Sequence, residues 1–343
     1  MLISILIALI IMGISFVIVL ILTPQFIKIL KKKGFVGRDI HKKDKPEIAE
    51  MGGVIIFISF MIGMIILSLI FYQHIFKYIA GILSLIIIAI IGMTDDILKR
   101  KKNKVGLSAI TKPILCMASG LPLIIINFFI PDIYIPYLRL PFLGAARIYY
   151  VYWLFIPIAY TIFANTTNMI DVYNGILPGT SIVIYISLLI SSIIVNSEIG
   201  IILSLTFLGT LIAYYYYNKN PARIFSGDTG SLLVGASIAF TIIMADLEIV
   251  GIIALLPLII NSFQTLRSIG GLKEKSEFNR PTRILEDGRL DISESDNVPL
   301  TLAGLIMVKG PITEKEAFNS FLILTIFSSI LSIITSVLLI IPW

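Results

Sequence analysis

The chain has 343 residues, of which 57% are hydrophobic and only 14% charged, with a mean hydropathy of +0.98 and a formal net charge of +6. Soluble domains carry about 25% charged residues, and none of this length can hide so much apolar surface, so a soluble globular protein is excluded. The basic excess calls for no nucleic acid, because loops beside a membrane are basic for reasons of topology and of contact with anionic lipid.

In chain order, the first apolar run is Leu2 to Leu30, interrupted mainly by Gly13, Ser15, Thr23, Pro24 and Gln25. It exceeds the ~20 residues that span a hydrocarbon layer. No basic residue precedes it and no small-x-small site follows it, so the reading is an uncleaved first helix. Further apolar segments fall at 51–72, 77–97, 108–130, 148–169, 179–196, 199–218, 229–246, 248–268 and 318–342. The expected fold is therefore an all-α integral membrane protein of about ten transmembrane helices, a single polytopic domain over 1–343. Cys116, the one cysteine, lies inside the fourth segment and reads as packing. Between the fourth and fifth, Pro131–Gly144 alternates apolar and polar residues and predicts a short hairpin. Residues 269–317 form the longest stretch between membrane segments, a large loop with short helices.

Placing Lys31, Lys32 and Lys33 in the cytoplasm puts both termini outside. Of the 27 basic residues, all but Lys77, Arg139 and Arg147 then fall on the inner side. That is a strong positive-inside bias.

Three polar clusters end up at the inner helix ends. The first is Gly92-Met-Thr-Asp95-Asp96-Ile-Leu-Lys99, followed by Arg100, Lys101, Lys102, Lys104 and Lys112. Adjacent carboxylates repel unless cations stand near them, so a divalent metal or several lysines are their natural partners. A capped helix end with topology-setting lysines would look the same. The second is Asn165-Thr-Thr-Asn168-Met-Ile-Asp171-Val-Tyr-Asn174-Gly175. Asn165, Asn168 and Asp171 recur every third residue and share a helix face that hydrocarbon would not tolerate. Such oxygen donors suit Mg²⁺, and hydrogen bonds between helices are the structural alternative. The third is Phe225-Ser-Gly-Asp228-Thr-Gly-Ser231. Asp228 or Thr229 could be a simple N-cap, yet flanking glycines at a helix start also allow close approach of a phosphate. Together the clusters describe metal and phosphate chemistry at a membrane surface, as in phosphoryl transfer between a soluble diphosphate and a lipid acceptor.

These residues resemble the polyprenyl-phosphate N-acetylhexosamine-1-phosphate transferase family, which includes the bacterial phospho-MurNAc-pentapeptide translocase and the dolichyl-phosphate GlcNAc-1-phosphate transferases. Four ordered stretches carry the resemblance: Pro46-Glu-Ile-Ala-Glu50-Met-Gly-Gly53, Asp95-Asp96-Ile-Leu-Lys99 with Gly106-Leu-Ser and Lys112, Asn165 to Gly175, and Phe225 to Ser231. The resemblance implies that Asn168 and Asp228 coordinate Mg²⁺, with Mn²⁺ as a substitute. It implies that Phe225 and Asn174 hold a uracil ring. Asp95, Asp96 and Lys99 would orient or act on the lipid phosphate, with Asp171 beside them and with Glu50 and Lys112 binding substrate. The partners implied are a UDP-N-acetylhexosamine, a polyprenyl or dolichyl phosphate and membrane lipid, in a multi-pass protein of the cell membrane, with a homodimer as the suggested assembly.

One departure bears on the sugar. The translocase branch carries histidines in the last large loop, whereas His41 and His74 are the only histidines here and neither lies in it. The loop has Arg280-Pro-Thr-Arg283 instead, closer to the dolichyl enzymes, where an arginine helps bind N-acetylglucosamine. Arg283 is accordingly the candidate for the sugar, GlcNAc-1-phosphate the expected group transferred, and an archaeal or dolichyl-type enzyme the nearest likeness. A transporter with broken polar helices is the rival from another class, but the assigned spans place no ionisable group near the bilayer midplane.

Overall fold

The computed structural model of the protein describes residues 2–101, 106–131, 133–134, 136–274 and 277–341. Lys102 and Lys104 of the basic run, and Asp132 and Ile135 of the expected hairpin, lie outside the described residues. Helix α1 (Leu2–Lys32) leads through a hairpin, β1 (Val36–Arg38) and β2 (Glu47–Ala49), into α2 (Gly53–Ile70) and α3 (Ile75–Lys101). Two short helices follow, α4 (Thr111–Ala118) and α5 (Leu121–Phe129), then a second hairpin, β3 (Tyr137–Leu140) and β4 (Gly144–Arg147). The long helices α6 (Tyr149–Ile170), α7 (Ile176–Ile194), α8 (Glu198–Asn218) and α9 (Gly227–Ala245) come next. The pair α10 (Glu248–Ala254) and α11 (Leu256–Ser268) is bent by 67°. A third hairpin, β5 (Thr282–Ile284) and β6 (Leu290–Ile292), and a short α12 (Leu302–Met307) precede α13 (Glu314–Leu338).

Among the described residues, eight spans are long and apolar enough to cross a membrane, or nine if the bent pair counts as one. The sequence predicts ten. The missing one is α6, whose 22 residues include Asn165, Thr166, Thr167 and Asn168 in the last turns. Polarity removes it from the tally, not length. The hairpin over Pro131–Gly144 also forms further along, with Tyr137 opposite Arg147 and Leu140 opposite Gly144.

The outer helices are amphipathic in the sense opposite to soluble ones. On α13, Thr325, Ser328, Ser329, Ser332, Thr335 and Ser336 are buried, while Ile323, Ile326, Phe327, Ile330 and Ile334 face outward. The hydroxyls of Thr325, Ser332 and Ser336 bond carbonyls of their own helix, and Ser328 reaches the Ile253 carbonyl of α10. Small hydroxyl residues bring helices close where lipid tails give no apolar driving force between them. Pro24 inside α1 cannot donate to the Leu20 carbonyl, and the Tyr217 hydroxyl of α8 donates to it instead, at 2.9 Å.

Helix α9 is the axis of the bundle, buried from Asp228 to Ala245 and packed by α2, α3, α6 and α8. Its start meets the start of α2. Gly52 N–H donates to the Phe225 carbonyl and Gly53 N–H to the Ser226 carbonyl, both at 2.8 Å. A Cβ on Gly53 would collide with the backbone of Gly230, so this junction requires glycine.

Candidate active site

The ends of α3, α6 and α8 meet the starts of α2, α4, α7, α9 and α13 at one end of the bundle. Two of the motifs meet there through a short ring of charges, and the asparagine motif joins them through Asn168 and Ser231. Lys99, one turn beyond Asp95, lies 2.9 Å from Asp95 Oδ2 and 2.7 Å from Asp228 Oδ1. Lys112, at the start of α4, lies 2.7 Å from Asp95 Oδ2 and also pairs with Asp228 Oδ2. Two ammonium groups thus bridge two carboxylates, and Asp95 is fully buried. Burial of ions this deep is tolerated only with such pairing, and removing one partner costs roughly 3–5 kcal/mol. The chain after α3 wraps the same carboxylate: Leu107 N–H donates to Asp95 Oδ1, and a Cβ on Gly106 would collide with that oxygen.

Asp96 does something different. Its Oδ1 accepts the Asp228 N–H at 2.8 Å, and its Oδ2 accepts the Thr229 N–H at 3.0 Å and the Thr229 hydroxyl at 2.6 Å. It caps α9 from a neighbouring helix, meeting free N–H groups at the positive end of the helix dipole. Neighbours on a helix point about 100° apart, so the Asp95-Asp96 pair serves two partners instead of one ion.

Among the asparagines, Asn165 donates to the Thr161 carbonyl of its own helix, at 2.8 Å. Asn168 donates through Nδ2 to Ser231 Oγ at 2.7 Å, which turns its Oδ1 the other way; that oxygen accepts from no described residue. Asp171, just past the end of α6, has a carboxyl pushed up to about 7. Burial is the main cause; the charges of Asp228 and Asp96 add to it and a hydrogen bond with Ser226 opposes it. Carboxylates gathered beside a free amide oxygen offer the hard oxygen donors that Mg²⁺ takes, so the residues present fit that ion.

A second part of the site lies along β1. Phe225 is bound into the hairpin: its N–H donates to the Ala49 carbonyl at 2.8 Å. A Cβ on Gly37 would stand 3.3 Å from the Phe225 ring and 3.2 Å from Glu50 Oε2. Asp39, two residues on and hence on the same side of the extended chain, accepts from Asn174 Nδ2 at 2.9 Å. Phe225, Glu50 and Asn174 therefore border one strand face. The backbone N–H of Asn174 donates to Glu314 Oε1 at 2.9 Å, and Lys42 Nζ lies 3.0 Å from Glu314 Oε2. Asp39, His41 and Glu314 bring potential ligand atoms within 4.8 Å of one another, and Lys42 already pairs with both carboxylates. Burial drives His41 down to about 4, aided by Arg280 and Lys42 and opposed by Asp39. The imidazole is neutral at physiological pH.

Arg283 is not gathered with these groups. It lies on β5, side chain exposed, 3.0 Å from Asp291 and 2.7 Å from Glu294. Arg280 is the loop arginine whose charge bears on His41. Sequence reasoning passed over Asp39, Lys42, Asn218 and Glu314. Asn218 accepts the Gly175 N–H at 3.1 Å and donates to the Ile224 carbonyl at 2.9 Å, joining two of the motif loops.

The sequence is similar to those of several known proteins. The model of glycosyl transferase family 4 matches residues 78–246, which include the charge ring. A putative glycosyltransferase of Methanocaldococcus jannaschii is 28% identical over 94% of this chain and 96% of its own. A putative UDP-N-acetylglucosamine–dolichyl-phosphate N-acetylglucosaminephosphotransferase of Saccharolobus solfataricus is 34% identical over 66% of this chain and 67% of its own. The phospho-N-acetylmuramoyl-pentapeptide-transferase of Sulfurimonas denitrificans is 31% identical over 67% of this chain and 69% of its own.

Proposed function

The chain belongs to glycosyl transferase family 4, and from that premise we propose that it moves an N-acetylhexosamine 1-phosphate from a UDP-sugar to a polyprenyl or dolichyl phosphate. The observation that carries this reading is the ring Asp95–Lys99–Asp228–Lys112. It puts two ammonium groups, which a phosphate can recruit, beside a carboxylate that a metal can recruit, at the end of an otherwise apolar bundle.

In this reading an oxygen of the lipid phosphate attacks the sugar-bearing phosphorus of the donor. The bond from that phosphorus to the bridging oxygen breaks and UMP leaves. The second pKa of a phosphate monoester is near 6, so the acceptor is already mostly dianionic at neutral pH. Lys99 and Lys112 then matter for holding it, and Asp95 for orienting them, more than for removing a proton. Asn168 and Asp228 would hold Mg²⁺, which when bound supplies charge neutralisation on the diphosphate. Phe225 offers its ring to the uracil, and Asn174 its amide. GlcNAc is the favoured sugar because no histidine stands in the 269–317 loop. The cytoplasmic placement of the site rests on the positive-inside distribution of lysine and arginine.

Purified protein supplied with UDP-GlcNAc labelled in the sugar, polyprenyl phosphate and Mg²⁺ tests the proposal. The expected outcome is lipid-dependent passage of label into the organic phase. No transfer from either UDP-GlcNAc or UDP-MurNAc-pentapeptide would sink it.

A further inference from the structure

Asn174 carries an amide that can face its ligand with either end. An Asn oxygen accepts hydrogen bonds and its nitrogen donates them, so the end presented decides which base edge fits. In this structure the choice is made by a neighbour. Asn174 Nδ2 lies 2.9 Å from Asp39 Oδ2, and an ionised carboxylate only accepts. The amide nitrogen must therefore turn toward Asp39, and Oδ1 must turn away. That oxygen accepts from no described residue.

Asp39 is itself held. Its Oδ1 accepts the His41 N–H at 3.1 Å, and Lys42 Nζ stands 3.7 Å from its Oδ2. Asp39 and Asn174 are both more than nine-tenths buried, so neither amide nor carboxylate rotates freely. The backbone of Asn174 is fixed separately, by the bond from its N–H to Glu314. Glu314 thus sets where Asn174 stands, and Asp39 sets which way its amide points.

We infer that Asp39 is the positioning residue that makes this site selective for uracil over cytosine. The inference rests on the reading of the donor as a uridine nucleotide. Opposite an acceptor-only oxygen, the N3–H of uracil forms a hydrogen bond. Cytosine presents an N3 lone pair there, and two acceptors would face each other. A turned amide would offer its NH₂ and reverse the preference. Leaving a buried acceptor unpaired is what makes such discrimination large, and one misplaced group is worth roughly ten- to a hundredfold.

The test measures dissociation constants of UMP and CMP with the purified full-length protein. Wild type should bind UMP roughly ten- to a hundredfold more tightly than CMP. In Asp39→Asn the neighbour can donate as well as accept, the Asn174 amide is released, and the ratio should fall toward unity, with CMP binding gained as well as UMP binding lost. Loosening of the site alone would weaken both and gain neither. Glu314→Gln supplies the contrast, lowering affinity for both nucleotides while the ratio stays near that of wild type. Should the Asn variant not purify folded, Asp39→Ser offers a group that also donates and accepts, and the same ratio is read. A wild-type ratio near one overturns the uridine reading itself. A large wild-type ratio that survives in the Asp39 variant, or collapses equally in Glu314→Gln, overturns the role of Asp39 and leaves that reading standing.

Discussion

The two ends of the bundle each bury acidic groups beside a cation, and they use them differently. At the end away from the charge ring, the fully buried Glu248 accepts from the Tyr152 hydroxyl. Asp246 lies 3.5 Å from Arg139, whose guanidinium also bonds the Tyr137 hydroxyl at 3.0 Å. The Tyr137 hydroxyl also donates to Asp246, so Tyr152 ties α6, and Tyr137 with Arg139 tie the β3–β4 hairpin, to the turn between α9 and α10. At the other end, two lysines are shared between two carboxylates, Asn168 keeps an open oxygen, and Asp171 holds its proton near neutrality. A buried charge in a membrane protein is therefore not by itself a functional mark. What separates the two ends is spare capacity: the ring end holds two ammonium groups and an amide oxygen that accepts from no described residue.

The sharpest way to break that comparison is to remove a shared carboxylate. Asp228→Ala should lower turnover on the order of 10³-fold, since it deprives both lysines and the metal of one ligand group. A folded variant with near-normal rates at limiting Mg²⁺ would refute the ligand role. Asp95→Asn should cost less, about 10²-fold, because the lysines keep Asp228 as a partner. Rates unchanged across pH 6 to 9 would reduce Asp95 to a structural part.

Asp171 sharpens the comparison through pH. Its carboxyl is raised from an ordinary value near 3.8 to about 7, so the folded protein binds this proton more tightly than the unfolded chain. Its contribution to stability is complete below about pH 4 and is lost as pH rises through 7. A cation bound nearby competes with that same proton. The Mg²⁺ concentration for half-maximal activity should thus be about tenfold higher at pH 6 than at pH 8, and Asp171→Asn should flatten the difference. Equal midpoints at both pH values in wild type would dissociate Asp171 from the metal.

At the opposite end, Glu248→Gln should leave turnover within about twofold while lowering stability by ~1–3 kcal/mol, read as a drop in Tm in detergent. A loss of activity without a loss of stability would show that this end, too, takes part in function. The smallest effect belongs to Arg283. Its side chain is exposed and paired within its own loop, away from the charge ring, so Arg283→Ala should change efficiency with UDP-GlcNAc by less than about fivefold. If it instead lowers the UDP-GlcNAc to UDP-glucose ratio by tenfold or more, the hairpin must open on binding, and Arg283 reads the acetamido group after all.

The convergence of motifs was legible because it depends on helix ends. Alternating apolar spans put the ends of α3 and α6 and the start of α9 on one side. The double role of Asp95-Asp96 was not, since adjacency in sequence suggests a pair whereas helix geometry splits it. Asp39 and Glu314 carry no local pattern. They matter only through each other's proximity to Asn174, across 135 and 140 positions of chain. Glu314 is further disguised by the capping box of Thr313 and Glu316, which gives the start of α13 an ordinary explanation. The count of spans fell short at α6 for a related reason: the polar residues that build the site dilute the hydropathy of the helix that carries them.

The most direct test of the central claim follows the donor's phosphorus atoms. UDP-GlcNAc labelled only in the sugar-bearing phosphate is incubated with the purified protein, polyprenyl phosphate and Mg²⁺, and the products are separated. Phosphosugar transfer predicts label in the lipid and unlabelled UMP in equal amount. Labelled UDP in the aqueous phase, with a lipid monophosphate sugar, would mean that the bond to the sugar carbon breaks instead, and would contradict the account.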